Sequence, residues 1–189
     1  MPVSRRAALK GLVAAGVGTV AGTGAYGYLG RHGLVVVRET LRVLGLPLAL
    51  AGLRIGLLTD LHRSAFVSHE DIAHAVALLM ADHPDLIVLG GDYVTFSDRR
   101  YVGPSAEALA PLRAPHGVFG ILGNHDDGHD MPAALERNGV DVLRDARTRV
   151  LVGGEPIDLV GIRFWTKRFA DIEALTREVH VNICATQAG

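Results

Sequence analysis

Three short clusters of acidic, histidine and asparagine residues each close an apolar run. Asp60-Leu61-His62 follows residues 53–59, Gly91-Asp92-Tyr93 follows residues 86–90, and Gly123-Asn124-His125-Asp126 follows residues 118–122. Equal spacing separates Asp60 from Asp92 and Asp92 from Asn124. Each run reads as a buried strand, and each cluster sits where that strand emerges. Open α/β sheets bind ligands outside the carboxyl ends of their strands. Carboxylate, imidazole and amide groups at three such ends predict a metal site.

On an extended strand end, Asp60 and His62 lie two positions apart and share one side, so both can grip one cation. Asp92 follows two glycines, which permit close backbone approach and a sharp exit; its carboxylate is placed to bridge two cations. Asn124 offers a neutral amide oxygen. Asp126 is expected to hydrogen-bond a ring nitrogen of His125 and to favour its protonated form. This set suits two-metal hydrolysis, in which paired cations bind a phosphoryl oxygen, activate a water and stabilise the leaving oxygen. Asp60, His62, Asp92 and Asn124 are thus candidate ligands, and His125 beside Asp126 is a candidate proton donor.

The elements that must position these groups follow from the pattern. Residues 34–38 and 41–44 read as short strands, with a break at Leu46-Pro47. Residues 53–59, 85–90 and 117–122 read as strands, and the second is apolar on both faces, as in a covered parallel sheet. Helices are predicted over residues 68–82, 105–112 and 131–138. Ser68 and Asp71 form a capping signal for the first, and Gly139 stops the third. Residues 140–143, 149–152 and 157–161 then form strands in quick succession, and a last helix covers residues 171–179. Helix-separated strands build a parallel core; the later strands extend that sheet or begin another. The fold class is α/β. Tyr93, Phe164 and Trp165 read as packing residues, and Arg99 and Arg100 as a solvated pair.

Composition narrows the function. The chain has 189 residues, 49% hydrophobic, and a formal net charge of −1, which supports no nucleic-acid surface. One cysteine, Cys184, excludes a disulfide framework or a Cys-rich metal site. Oxygen and imidazole ligands suit Mn, Fe, Zn or Mg. No glycine-rich phosphate loop follows the first strand, which disfavours a plain nucleotide-binding domain.

The first thirty residues read as targeting rather than fold. Ser4-Arg5-Arg6-Ala7-Ala8-Leu9-Lys10 precedes an uncharged stretch rich in Ala, Gly and Val. The order resembles a twin-arginine export signal, with Arg5 and Arg6 as the signal pair. A simple membrane anchor is the alternative, since twenty apolar residues can span a bilayer. Export machinery and membrane association are the implied partners, with a periplasmic, extracytoplasmic or membrane-anchored location.

The three clusters together resemble the first three motifs of the calcineurin-like metallophosphoesterases. The short spacings and the twin-arginine start are similar to the exported bacterial phosphodiesterase branch. The resemblance implies a partial α/β/β/α sandwich preceded by a signal or anchor helix. It also implies two divalent metal ions and a phosphate-ester substrate: a phosphodiester, a phosphomonoester or a pyrophosphate, including lipid-linked envelope compounds. Asp60 and His62 would bind the first metal, Asp92 would bridge, Asn124 would bind the second, and His125 would act with Asp126.

The family pattern adds a histidine after a later strand and then a Gly-His-x-His motif, and this sequence has neither. The expected organisation is a signal or anchor over residues 1–30, strands and a connector over 31–50, and an incomplete metallophosphoesterase domain over 51–189. A C-terminally truncated chain is the expectation, with a non-catalytic remnant as the alternative to an active hydrolase.

Overall fold

A parallel sheet and a mixed sheet carry the architecture. The computed structural model describes residues 33–166, 169–177 and 182–186, the last stretch as backbone. The export-signal segment with Arg5 and Arg6 lies outside these residues. The chain divides into two units, Met1–Val37 and Arg38–Gly189. In the first, residues 33–37 have no regular structure.

The first sheet contains β1 (Ile55–Leu58), β2 (Leu86–Leu89), β3 (Val118–Gly120) and β4 (Asp141–Val142), in the order β1-β2-β3-β4. Every pairing in it is parallel. The connections are α1 (His69–Ala81), α2 (Val102–Leu109) and α3 (Asp130–Arg137). The second sheet contains β5 (Ala146–Val152), β6 (Glu155–Ile162) and β7 (Asn182–Thr186), with β5 antiparallel and β7 parallel to β6. A helix α4 (Phe169–Thr176) connects β6 to β7. Thus one of the late strands extends the first sheet and the others build a second.

Alternation along the central strands explains the layers. Ile87 and Leu89 of β2 and Val118 of β3 pack with Ile72, Val76, Ala106, Leu109, Met131 and Leu135 of the helices. Leu86 and Phe119 point the other way and pack against Leu159 and Val150 of the second sheet. Successive strand side chains face opposite sides, so β2 must be apolar throughout, and all four of its residues are buried. Helices on one face and a second sheet on the other give the α/β/β part of the expected sandwich.

Local signals hold where they are strong. Ser68 accepts from the Asp71 N–H while the Asp71 carboxylate accepts from the Ser68 N–H, closing the capping box on α1. The third helix ends before Gly139, which has φ +84. The second helix lies earlier than its pattern suggests. A 3-10 turn over Arg99–Tyr101 feeds directly into α2, and the helix stops at Ala110, just before Pro111.

Three expectations fail. Residues 34–38 and 41–44 form no strand; Val35, Val37, Leu41 and Leu44 are exposed, so no core draws them into a sheet. Strand β1 is an edge, and Ile55 and Leu57 on its outer face are 43% and 63% exposed. Trp165 is likewise half-exposed rather than core, edge-on to Phe164 at 5.8 Å. Among the described residues no helix is long and apolar enough to cross a membrane.

Candidate metal centre

Beyond its last residue, β1 stays paired to β2 through the loops. The Asp60, His62 and Arg63 N–H groups donate to the carbonyls of Gly91, Asp92 and Tyr93 at 3.1, 2.9 and 2.9 Å. This extension carries the first two clusters into register at the carboxyl edge of the sheet. The backbone there is not extended. Asp60, His62 and Asp92 have φ of +56°, +48° and +55°. Left-handed backbone costs a non-glycine residue about 1–2 kcal/mol. Short polar residues accept it most readily, and three such residues within one cluster mark a strained site.

Those three residues form the cradle. Single ligand atoms from Asp60, His62 and Asp92 all lie within 4.8 Å of one another. His62 Nε2 is 3.9 Å from Asp60 Oδ1 and 3.7 Å from Asp92 Oδ2. Such spacing is too long for direct hydrogen bonds and leaves room for an ion between the atoms. The opposite ring nitrogen, Nδ1, lies 3.4 Å from the Thr95 hydroxyl, which itself donates to the His62 carbonyl. A partner on the far nitrogen orients a metal-binding imidazole. Two carboxylate oxygens and one imidazole nitrogen therefore fit a divalent cation of the Mn, Fe, Zn or Mg group.

The buried member, Asp92, does two things. Its Oδ2 faces His62, and its Oδ1 accepts the His125 N–H at 2.8 Å. This bond ties the third cluster to the cradle. Gly91 makes the approach possible: at φ +93° a Cβ there would lie 2.4 Å from the Gly123 nitrogen. The glycine before Asp92 is thus required by the contact between the two loops.

His125 stands beside the cradle with its ring edge-on to His62, centroids 5.0 Å apart. Its Nδ1 accepts the Phe96 N–H at 3.1 Å. A nitrogen that accepts carries no proton, so the neutral ring holds its proton on Nε2. The Ser97 N–H donates to the His125 carbonyl at 2.8 Å, and Phe96 and Ser97 are both left-handed, at φ +52° and +53°. Asn124 lies exposed on the same loop.

Asp126 does not pair with the His125 ring. It is buried, and its carboxylate accepts four backbone N–H groups. Asp92 and Gly123 donate to Oδ2, each at 2.8 Å. Tyr93 and Val94 donate to Oδ1 at 2.7 and 3.4 Å. Burial pushes this carboxyl up to about 6 while the four N–H groups pull it down. The same burial raises the phenol of Tyr93 well above its usual range, with the Asp126 charge adding to the effect. Tyr93 donates to the Ile121 carbonyl at 3.0 Å and is a packing residue, as expected. Arg99 pairs with Asp130 and Asp127, and Arg100 with Asp98, so neither arginine points at the cradle as a spare cation.

The calcineurin-like phosphoesterase family model matches residues 53–177. The chain belongs to that family. The phosphodiesterase YaeI of Escherichia coli (strain K12) is 35% identical over 117 residues, which cover 59% of this chain and 43% of that protein. The metallophosphoesterase YkuE of Bacillus subtilis (strain 168) is 30% identical over 173 residues, covering 85% of this chain and 59% of that protein. The chain thus spans about half the length of these two relatives. The family match covers β1 to β6, the four helices and all three clusters. Calcineurin-like phosphoesterases use divalent metals, and the cradle described here supplies suitable ligands.

The structure brings Asp60, His62 and Asp92 together and sets His125 beside them. It gives Asp126 to the backbone instead of to His125. Thr95 and Phe96, which orient the two imidazoles, escape sequence reasoning: one acts through a hydroxyl and the other through an N–H, and neither leaves a periodic signal. Their one legible sign is their position just past Asp92.

Proposed function

We propose that the protein is a metal-dependent phosphoesterase that hydrolyses a phosphodiester at the Asp60–His62–Asp92 cradle. The convergence of these three ligand atoms within 4.8 Å carries the reading. Asp60, His62 and Asp92 would hold one divalent ion, and Asp92 with Asn124 would contribute to a second. Metal ions bound there supply charge to the phosphoryl oxygens and lower the pKa of a bound water. His62 would offer its Nε2 to the ion, because the Thr95 hydroxyl lies against the other ring nitrogen, Nδ1. His125 presents its Nε2–H toward the same space because the Phe96 N–H occupies Nδ1. From there it donates a hydrogen bond to a phosphoryl or leaving oxygen.

Added Mn²⁺ is expected to start hydrolysis of bis(p-nitrophenyl) phosphate, and a chelator to stop it. Equal turnover with and without metal overturns the reading. YaeI is called a phosphodiesterase, which favours the diester among phosphoesters.

A location across the cytoplasmic membrane, with a lipid-linked envelope compound as substrate, is part of the proposal. It rests on Ser4-Arg5-Arg6 and the apolar stretch that follows. Replacing Arg5 and Arg6 by lysine is expected to retain the protein in the cytoplasm, as read by cell fractionation; unchanged export would refute the twin-arginine assignment.

A further inference from the structure

A cleft of about 610 Å³ opens beside the cradle, lined by His62 together with Thr95, Val67, Phe66, Phe96 and Tyr101. Its size suits the organic part of a small substrate. Two of its walls are unusual. Phe66 and Phe96 are 81% and 84% exposed. Phe96 is also left-handed, at φ +52°, a conformation that a bulky residue rarely adopts. Its backbone N–H serves His125 and its ring leans on the His125 ring at 5.2 Å, while most of the ring stays open to the cleft. The Arg63 and Arg100 guanidinium carbons lie 4.8 and 5.7 Å from the Tyr101 ring centroid, and Arg100 also lines the cleft. Three aromatic side chains thus converge on a space that shares His62 with the metal ligands.

Building on the phosphoesterase reading, we infer that this cleft receives an aromatic ring carried by the alcohol group of the phosphoester. The phosphate sits at the cradle and the ring lies among Phe66, Phe96 and Tyr101. Continuity through His62 sets the direction: a phosphoryl group at the cradle projects its ester substituent past Thr95 into the cleft. Flat rings pair with aromatic walls in stacked or edge-on geometry and gain affinity beyond their buried area. A flexible alkyl chain gains no such term.

Titration of the Mg²⁺-saturated full chain with phenylphosphonate, methylphosphonate and hexylphosphonate tests this. Phenylphosphonate is expected to bind about tenfold more tightly than methylphosphonate. Phe66→Ala is expected to remove that preference, and Phe66→Trp to keep it; because Phe66 is exposed, both variants should fold. Equal binding of the phenyl and methyl compounds overturns the inference. So does tighter binding of hexylphosphonate than of phenylphosphonate, or a preference that survives Phe66→Ala. Mg²⁺ binding and bis(p-nitrophenyl) phosphate hydrolysis are measured in parallel. A phenyl preference without hydrolysis refutes the phosphoesterase reading and leaves the aromatic cleft standing. Hydrolysis without a phenyl preference does the reverse. Absence of metal binding overturns both.

Discussion

Asp126→Ala is expected to lower the unfolding free energy by about 3–5 kcal/mol, among the largest effects of any single substitution in this chain. The carboxylate holds the N–H groups of Asp92, Tyr93, Val94 and Gly123, and it is buried. Alanine leaves four donors without an acceptor in a place that water reaches poorly. Each unsatisfied buried donor costs about 1–3 kcal/mol, and relaxation of the loops recovers part of the sum. Asp126→Asn is expected to fall between wild type and alanine, because its amide NH₂ faces N–H donors on one side. Urea unfolding with both variants checks this, and a loss below about 1 kcal/mol for alanine would rule out the structural role. The same substitution should weaken metal binding, since the Asp92 backbone loses its anchor.

Asp92→Asn is expected to separate binding from folding. The amide oxygen can still accept the His125 N–H, so the contact between the second and third clusters survives. What disappears is one of the two negative charges facing the cation. Metal affinity should fall by more than about 100-fold, beyond what substitutions behind the ligands cause. Without metal, the Asp60 and Asp92 carboxylates repel each other across the cradle, so the chelator-treated variant should be at least as stable as wild type. Isothermal titration with Mn²⁺ and thermal unfolding in chelator read the two effects. Wild-type affinity would remove Asp92 from the ligand set; a large loss of stability would assign it a mainly structural role.

The positions of the chemical groups were legible because each closes a strand that is apolar for physical reasons. Residues 86–89 must be apolar on both faces to lie between helices and a second sheet, and their burial bears this out. The helix at residues 69–81 was legible from Ser68 and Asp71, whose reciprocal cap is a local interaction. Less legible was the edge position of β1. Its apolar sequence looks like that of a covered strand, yet order within a sheet is set by contacts distant in sequence. For the same reason residues 34–38 and 41–44 suggested strands: an apolar run becomes a strand only when a partner receives it.

The way Asp60 meets His62 shows the limit of periodic reasoning. Their meeting was expected from the pleat of an extended strand. They do share the cradle, but through two left-handed residues, φ +56° and +48°, separated by Leu61. No glycine announces these turns. They persist because the Gly91, Asp92 and Tyr93 carbonyls hold the backbone across the gap between strands.

By itself, the sequence determined the candidate ligands, their order along the chain and the strands that deliver them. These follow from residue type and short-range pattern, which act within a few positions. Only the tertiary structure decided what those residues hold. Asp126 went to four backbone N–H groups instead of the neighbouring imidazole, and His125 took its orientation from Phe96, twenty-nine positions away. A buried carboxylate binds the donors that the fold leaves unsatisfied around it, and which donors those are depends on how separate loops meet at the edge of the sheet.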